Sequence, residues 1–301
     1  VHTIRTVNKH RRAIAPRQRL WQAGILAAAV AASLALFGWA ALGAQTGPVT
    51  ARKLLLGVPA YVYPGQPALV SLQRMNPVPG IVILNPGNGD GPFSLSWQAQ
   101  ARRLRGRGVT VLGYVHTDAA TRTLAAAEVS IRNYLRPATG TNQVSGIFLD
   151  EMANTCTAVP YYSQLYAYIR SLDASAFVAA NPGTPVSSCF LSHRHKVADT
   201  FVTFEHDAAT YQSSFQGNVV NSHGTFTMGT KYAASTFWHL IYSTSGTELD
   251  GLVSLARRRH AGYVYITDGG LPNPWDTLAG YARAEAAAAA AARNPITKGH
   301  S

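Results

Sequence analysis

From residue 54 onward the chain alternates eight short apolar, β-branched or aromatic runs with stretches of helical periodicity. The runs cover 54–63, 80–85, 109–115, 144–150, 176–181, 200–205, 237–242 and 262–268. Several are apolar almost without interruption, the pattern of parallel strands covered on both faces. Helices are predicted over 97–105, 121–135, 161–172, 248–260 and 275–292. Leu124, Ala127, Ile131 and Leu135 share one face of the second, and Tyr161, Leu165, Tyr168 and Leu172 one face of the third. Asn273 before Pro274 reads as a cap with proline at the first helical position. No internal repeat of fixed period occurs. Eight strands alternating with helices predict a closed (β/α)8 barrel of the TIM type. An open doubly wound sheet is the alternative, weakened because no dinucleotide fingerprint follows the first strand.

The 301 residues divide into a basic head (1–19), an apolar segment (20–44), a linker (45–53), the barrel (54–293) and a tail (294–301). The net charge of +12 invites a nucleic-acid reading, but six of the 26 Lys and Arg lie in the first twenty residues. The rest of the chain carries no basic stripe interleaved with aromatics, so nucleic acid is not an expected partner. The segment 20–44 holds no charge and is long enough to cross a bilayer core. Basic residues before it predict the head inside and the barrel outside the cytoplasm. The expectation is a single-pass anchor in the cell membrane; secretion after signal cleavage is the alternative. Nothing in the sequence speaks to oligomeric state.

Cys156 and Cys189, the two cysteines, fall in loops after the fourth and fifth strands, which are neighbours in a barrel. Outside the membrane they can pair; otherwise they remain two buried thiols.

Chemistry in such barrels occupies the carboxyl ends of the strands. Those ends carry Tyr61 and Tyr63, Asn85, Tyr114, His116 and Thr117, Asp150 and Glu151, Asn181, Glu205 and His206, Tyr242, and Asp268. Carboxylates therefore close three strands in a chain with 14 acids. Glycosidic cleavage needs two carboxyl groups flanking the bond, one to protonate the leaving oxygen and one to attack or to activate water. Asp150 and Glu205, two strands apart, can face each other across a sugar. Glu151 cannot point the same way as Asp150 unless the chain turns between them. An acid pair that only caps a helix, or a buried ion pair at Glu205, would explain the same residues without chemistry.

Tyr61, Tyr63, Asn85, Tyr114, Asn181, Tyr242 and Asp268 are the candidate substrate-binding residues. Asp268 could equally cap the following turn. The Gly-rich loop from Asn85 to Pro92 lacks the Lys-Ser/Thr of a phosphate loop and reads as a tight loop near a sugar. His116 and the His193-Arg194-His195 run lack metal-ligand spacing, so neither metal nor cofactor is expected. Trp238 and Trp275 read as packing residues rather than sugar platforms.

Read in order, the strand ends resemble one family. Val58-Pro59-Ala60-Tyr61-Val62-Tyr63-Pro64, Ile83-Leu84-Asn85-Pro86 and Gly113-Tyr114-Val115-His116-Thr117 are followed by Gly146-Ile147-Phe148-Leu149-Asp150-Glu151. Asn181-Pro182-Gly183-Thr184, Ala198-Asp199 and Phe204-Glu205 complete the set. Together they resemble the spherulation-specific family 4 (spherulin 4-like) proteins, which overlap glycoside hydrolase family 135. The resemblance implies a (β/α)8 barrel and endo-cleavage of α-1,4-linked N-acetylgalactosamine stretches in an exopolysaccharide. It places the acidic pair on Asp150 and Glu151 and the later acid on Glu205. The family pattern is loose at His116, which receives no role.

The expectation is a glycoside hydrolase acting on an amino-sugar polysaccharide, with Asp150 as nucleophile or charge stabiliser, Glu205 as general acid/base and Glu151 in support. A cell-surface barrel that binds polysaccharide without cutting it is the alternative. A hydrolase of esters or amides ranks last, because no Gly-x-Ser-x-Gly elbow occurs.

Overall fold

The structure, a computed structural model, describes residues 54–135, 143–192 and 194–291. The predicted head, apolar segment, linker and tail lie outside the described residues, as does His193. Among the described residues, no helix is long and apolar enough to cross a membrane.

Eight strands close a parallel barrel: β1 (Leu55–Ala60), β2 (Ile81–Leu84), β3 (Thr110–His116), β4 (Gly146–Asp150), β5 (Phe177–Ala180), β6 (Thr200–Asp207), β7 (Phe237–Tyr242) and β8 (Tyr263–Ile266). Each strand pairs with the next in sequence, and β8 returns to β1 through Leu55↔Tyr263 and Leu56↔Val264. Closure removes the exposed strand edges that an open sheet would leave. The open-sheet alternative is thereby excluded.

Helices cover the outside: α1 (Pro67–Arg74), α2 (Leu95–Arg105), α3 (Leu124–Tyr134), α4 (Val159–Leu172), α5 (Ala208–Ser214), α6 (Leu249–Arg258) and α7 (Ala282–Ala290). Two of these, α1 and α5, are not among the helices predicted from sequence. Each spans about two turns, too short for a 3.6-residue pattern to stand out. The start of α5 is fixed by Asp207, whose carboxylate accepts from the Thr210 amide at 2.7 Å. Likewise α3 begins after Thr123, which accepts from Ala126 N. Predicted elements shorten in two places. The first strand stops at Ala60, not Tyr63, and Gly65 then turns the chain at φ 88°. The last helix begins at Ala282, not Trp275. Asn273 does accept from Trp275 N at 3.2 Å, but this bond closes a turn, and the chain becomes helical only after Gly280.

Aromatic rings fill the barrel. Tyr114 on β3 packs against Phe148 on β4, which meets Trp238 on β7 edge-on at 5.9 Å. A Cβ added at Gly57 on β1 would sit 2.7 Å from the Trp238 ring. Only glycine there lets an indole occupy the centre. Packing of this density fixes the eight strand ends relative to one another, and so the residues they carry.

The loop after β4 is tied to the loop after β5 by a disulfide, Cys156–Cys189, with Cα atoms 5.8 Å apart. Asn154 reinforces the tie. Its Nδ2 donates to Pro185 O at 2.8 Å, and its Oδ1 accepts from Ser187 N at 2.8 Å. A small three-stranded sheet, Val186–Ser187, Val219–Val220 and Phe226–Thr227, lies beyond these loops.

Candidate active site

Asp150 is the last residue of β4, Asn181 follows β5, and Glu205 lies within the extended carboxyl end of β6. Three consecutive barrel strands thus present an acid, an amide and an acid. Asn181 Nδ2 donates to Asp150 Oδ1 at 2.7 Å and to Glu205 Oε2 at 2.6 Å. Those two carboxylate oxygens therefore lie within about 5.3 Å of each other, the sum of the two bonds. The amide cannot be turned round without loss, because its Oδ1 accepts from Gly183 N at 2.8 Å. Gly183 O in turn accepts from Glu205 N at 3.1 Å. The Asn181-Pro182-Gly183 turn is thus a brace between β5 and β6.

The second Glu205 oxygen, Oε1, accepts from Trp275 Nε1 at 3.1 Å. Trp275 sits after β8, with its ring beside Tyr242 and Tyr265. Sequence reading treats this tryptophan as packing; the structure makes it a hydrogen-bond donor to an acid. Its one sequence signal is the Asn273-Pro274 turn just before it. Glu205 forms no ion pair with its neighbour His206, which pairs with Asp207 instead.

Burial raises the Glu205 carboxyl, and the nearby Asp150 charge adds to it, to about 7; the bonds from Asn181 and Trp275 work the other way. Burial also raises Asp150, opposed by hydrogen bonds from Tyr114, the Glu151 backbone and Asn181. Two close carboxyls that resist double ionisation hold one proton between them at moderate pH.

Glu151 points elsewhere. Its backbone sits at φ 53°, in the left-handed region, and its side chain is exposed. The turn is pinned from behind: Thr117 Oγ1 lies 2.8 Å from Asp150 O and 3.0 Å from Glu151 O. Ala119 N donates to Glu151 O at 2.9 Å. The Glu151 carboxyl lies beside Asp118 and is raised by burial, by its interaction with Asp118 and by the Asp150 charge. His116, Asp118 and Glu151 offer oxygen and nitrogen atoms within 4.8 Å of one another, a spacing that could hold a cation. Both His116 ring nitrogens, however, face carboxylates, Nδ1 to Asp118 at 2.7 Å and Nε2 to Asp90 at 3.1 Å. With both nitrogens engaged by acids, the ring is not free to turn towards a metal.

Tyr61 and Tyr114 stand edge to face at 5.5 Å, and both feel the Asp150 and Glu205 charges. Tyr61, Tyr63, Asn85 and Trp97 line a cavity of about 290 Å³. Asn85 Oδ1 is buried without a hydrogen-bond partner among the described residues. His206, Asp207, Tyr242 and Leu271 line a second cavity of about 440 Å³. Tyr242 links it to the acids through its contact with Trp275 and through the Glu205 charge it feels. Asp268 does not join them: it is exposed two residues past the end of β8, where its charge is felt by Tyr265 and Tyr281.

Comparison with known proteins places this barrel. The model of spherulation-specific family 4 matches residues 56–289. The chain belongs to that family. It is 29% identical over 246 residues to Spherulin-4 of Physarum polycephalum, covering 79% of this chain and 71% of that protein. Its structure is similar to that of Aspergillus clavatus Sph3 in complex with GalNAc, with a TM-score of 0.66 and 26% identity. That match covers 80% of this chain and 98% of Sph3.

Proposed function

We propose that this family member is a retaining glycoside hydrolase that cuts within an amino-sugar polysaccharide, with Asp150 and Glu205 as the reacting pair. The observation that carries the reading is the single Asn181 amide spanning both carboxylates. It keeps their facing oxygens within about 5.3 Å, close to the separation of roughly 5–5.5 Å used for retention and short of the roughly 6.5–9.5 Å needed to seat an attacking water.

The division of labour follows from the environments. Glu205, pushed up to about 7, is the group that holds a proton near neutrality and donates it to the glycosidic oxygen. Asp150, whose charged form the hydrogen bonds from Tyr114 and Asn181 favour, faces the sugar carbon from the other side. As the carbon–oxygen bond breaks, the departing sugar takes the Glu205 proton, and Asp150 bonds to, or neutralises, the cationic sugar. Water then attacks the same carbon, gives its proton to the Glu205 carboxylate and frees Asp150. Glu151 supports the site from the adjacent turn.

Two separate cavities, one lined by Tyr61 and one by Tyr242, both residues that feel the Glu205 charge, favour internal cleavage of a chain over removal of end units. The GalNAc bound to Sph3 favours an N-acetylgalactosamine-containing chain as the substrate, and the α-1,4 linkage is what the family resemblance implies. We place the barrel outside the cytoplasm, held at the membrane by segment 20–44; a disulfide between two loops at the mouth suits that compartment.

The test is release of reducing ends from such a polymer. Asp150→Asn and Glu205→Gln are each expected to cut the rate by at least about 1,000-fold while still folding cooperatively. Parent-like cleavage by both variants overturns the mechanism. Tight binding of the polymer by the parent, with no product, would establish the non-catalytic barrel instead.

A further inference from the structure

We propose that His116, clamped between Asp90 and Asp118, is a positioning residue that sets the charge of Glu151. The proposal rests on the hydrolase reading for its kinetic consequence but not for its physical content.

The clamp is built from three elements. His116 ends β3 with its ring partly buried. Asp90 comes from the Gly-rich loop after β2, where Gly87, Asn88 and Gly89 all take positive φ to deliver it. Asp118 comes from the turn after β3, itself at φ 48°. Nδ1 donates to Asp118 Oδ1 and Nε2 to Asp90 Oδ2, so the doubly protonated ring satisfies both acids at once. A neutral ring could donate to only one.

Asp90 is itself fixed. Arg122 Nη2 reaches its Oδ1 at 2.7 Å, and Ser130 Oγ reaches the same oxygen at 2.8 Å. Arg122 Nη1 also donates to His116 O at 3.0 Å. The order across the site is therefore Arg122, Asp90, His116, Asp118, Glu151, with charge alternating up to the last carboxyl.

Burial opposes the charged ring, but the bonds to Asp118 and Asp90 prevail and raise its pKa; Arg122 pulls it down and Asp118 adds to the rise. Asp118 is correspondingly lowered, first by its bond to His116. Glu151 is pulled in both directions: its interaction with Asp118 and the charges of Asp118 and Asp150 raise it, while His116 lowers it. The His116 charge also lowers Asp150. The imidazolium thus offsets a crowd of acids that would otherwise repel one another. It acts through Asp118 and its field, without touching the space between Asp150 and Glu205.

The first measurement needs no substrate. The chain has five glutamates, so carboxyl-labelled glutamate gives a spectrum simple enough to follow Glu151 in a pH titration. Glu151→Gln identifies its signal. We expect His116→Gln to raise the Glu151 midpoint and Asp118→Asn to lower it. Ring-labelled histidine should show His116 keeping its imidazolium form to higher pH in the parent than in Asp118→Asn. A midpoint that does not fall in Asp118→Asn, or an unmoved Glu151 in folded His116→Gln, overturns the proposal. If the parent degrades the polymer, His116→Gln should lower kcat by about 10-fold or more with KM little changed, and shift the pH–rate profile. A parent inactive on every polysaccharide counts against the hydrolase reading alone, since the two titrations still decide the clamp.

Discussion

Trp275 donates its indole N–H to Glu205 across 70 residues of sequence, joining the segment after the last barrel strand to the acid on the sixth. That bond favours the ionised carboxylate and so limits how far burial raises Glu205. Trp275→Phe keeps a ring against Tyr242 and Tyr265 but removes the donor. The expected result is an alkaline limb of the pH–rate profile displaced to higher pH, with kcat about 10-fold lower because the acid has lost its anchor. Profiles of parent and variant that superimpose would show that the bond has no part in tuning the acid.

The pH dependence of the parent follows from the same carboxyl. Its folded pKa, about 7, lies above the ordinary 4.5, so folding favours the protonated form. Stability from this group is fully present below the unfolded value and falls as pH rises from 4.5 towards 7. Asp150, also raised, acts with the same sign. Activity should fall above about pH 7 as the acid loses its proton. Melting temperatures of the parent should therefore drop between pH 5 and pH 8, and Glu205→Gln should flatten that drop. A variant whose melting curve moves with pH as much as the parent's would show that Glu205 titrates normally.

Much of this was legible from the sequence. All eight barrel strands lie within or close to the apolar runs, because strands covered on both faces cannot hide their composition. The three acids stood out as the polar residues that end those runs. What escaped is what depends on distance in space. The Asn181 bridge requires β4, β5 and β6 to be adjacent and in register, and Trp275 reaches Glu205 only once the barrel has closed. The Asp90–His116 pair joins the loop after β2 to the end of β3, and no spacing rule links residues 26 positions apart. Asp268 lies two residues past the end of β8, exposed, where its charge is felt by Tyr265 and Tyr281.

The disulfide should contribute stability more than chemistry. It joins residues 33 apart in loops that Asn154 already ties together, and neither cysteine touches the acid pair. Replacing both cysteines with serine is expected to cost about 2–4 kcal/mol by loss of the cross-link, read as a lower denaturant midpoint. At a temperature where both proteins are folded, kcat should stay within about 3-fold of the parent. A collapse of kcat without loss of stability would instead make the bridge a positioner of the Asp150–Asn181 loops.

Tyr63 offers the sharpest separation of binding from chemistry. It is 69% exposed, unusually open for an aromatic, and rests against Trp97 at 6.3 Å beside the cavity that holds Asn85. Tyr61, two residues earlier, feels the charges of both Asp150 and Glu205. A ring so placed can stack on a sugar some distance from the bond being cut. Tyr63→Ala should therefore raise KM for a long polymer by about 10-fold while leaving kcat nearly unchanged, the signature of binding lost equally from ground and transition states. For short oligosaccharides that do not reach this cavity, parent and variant should behave alike. A fall in kcat with KM unchanged would place Tyr63 at the reacting sugar and redraw the groove.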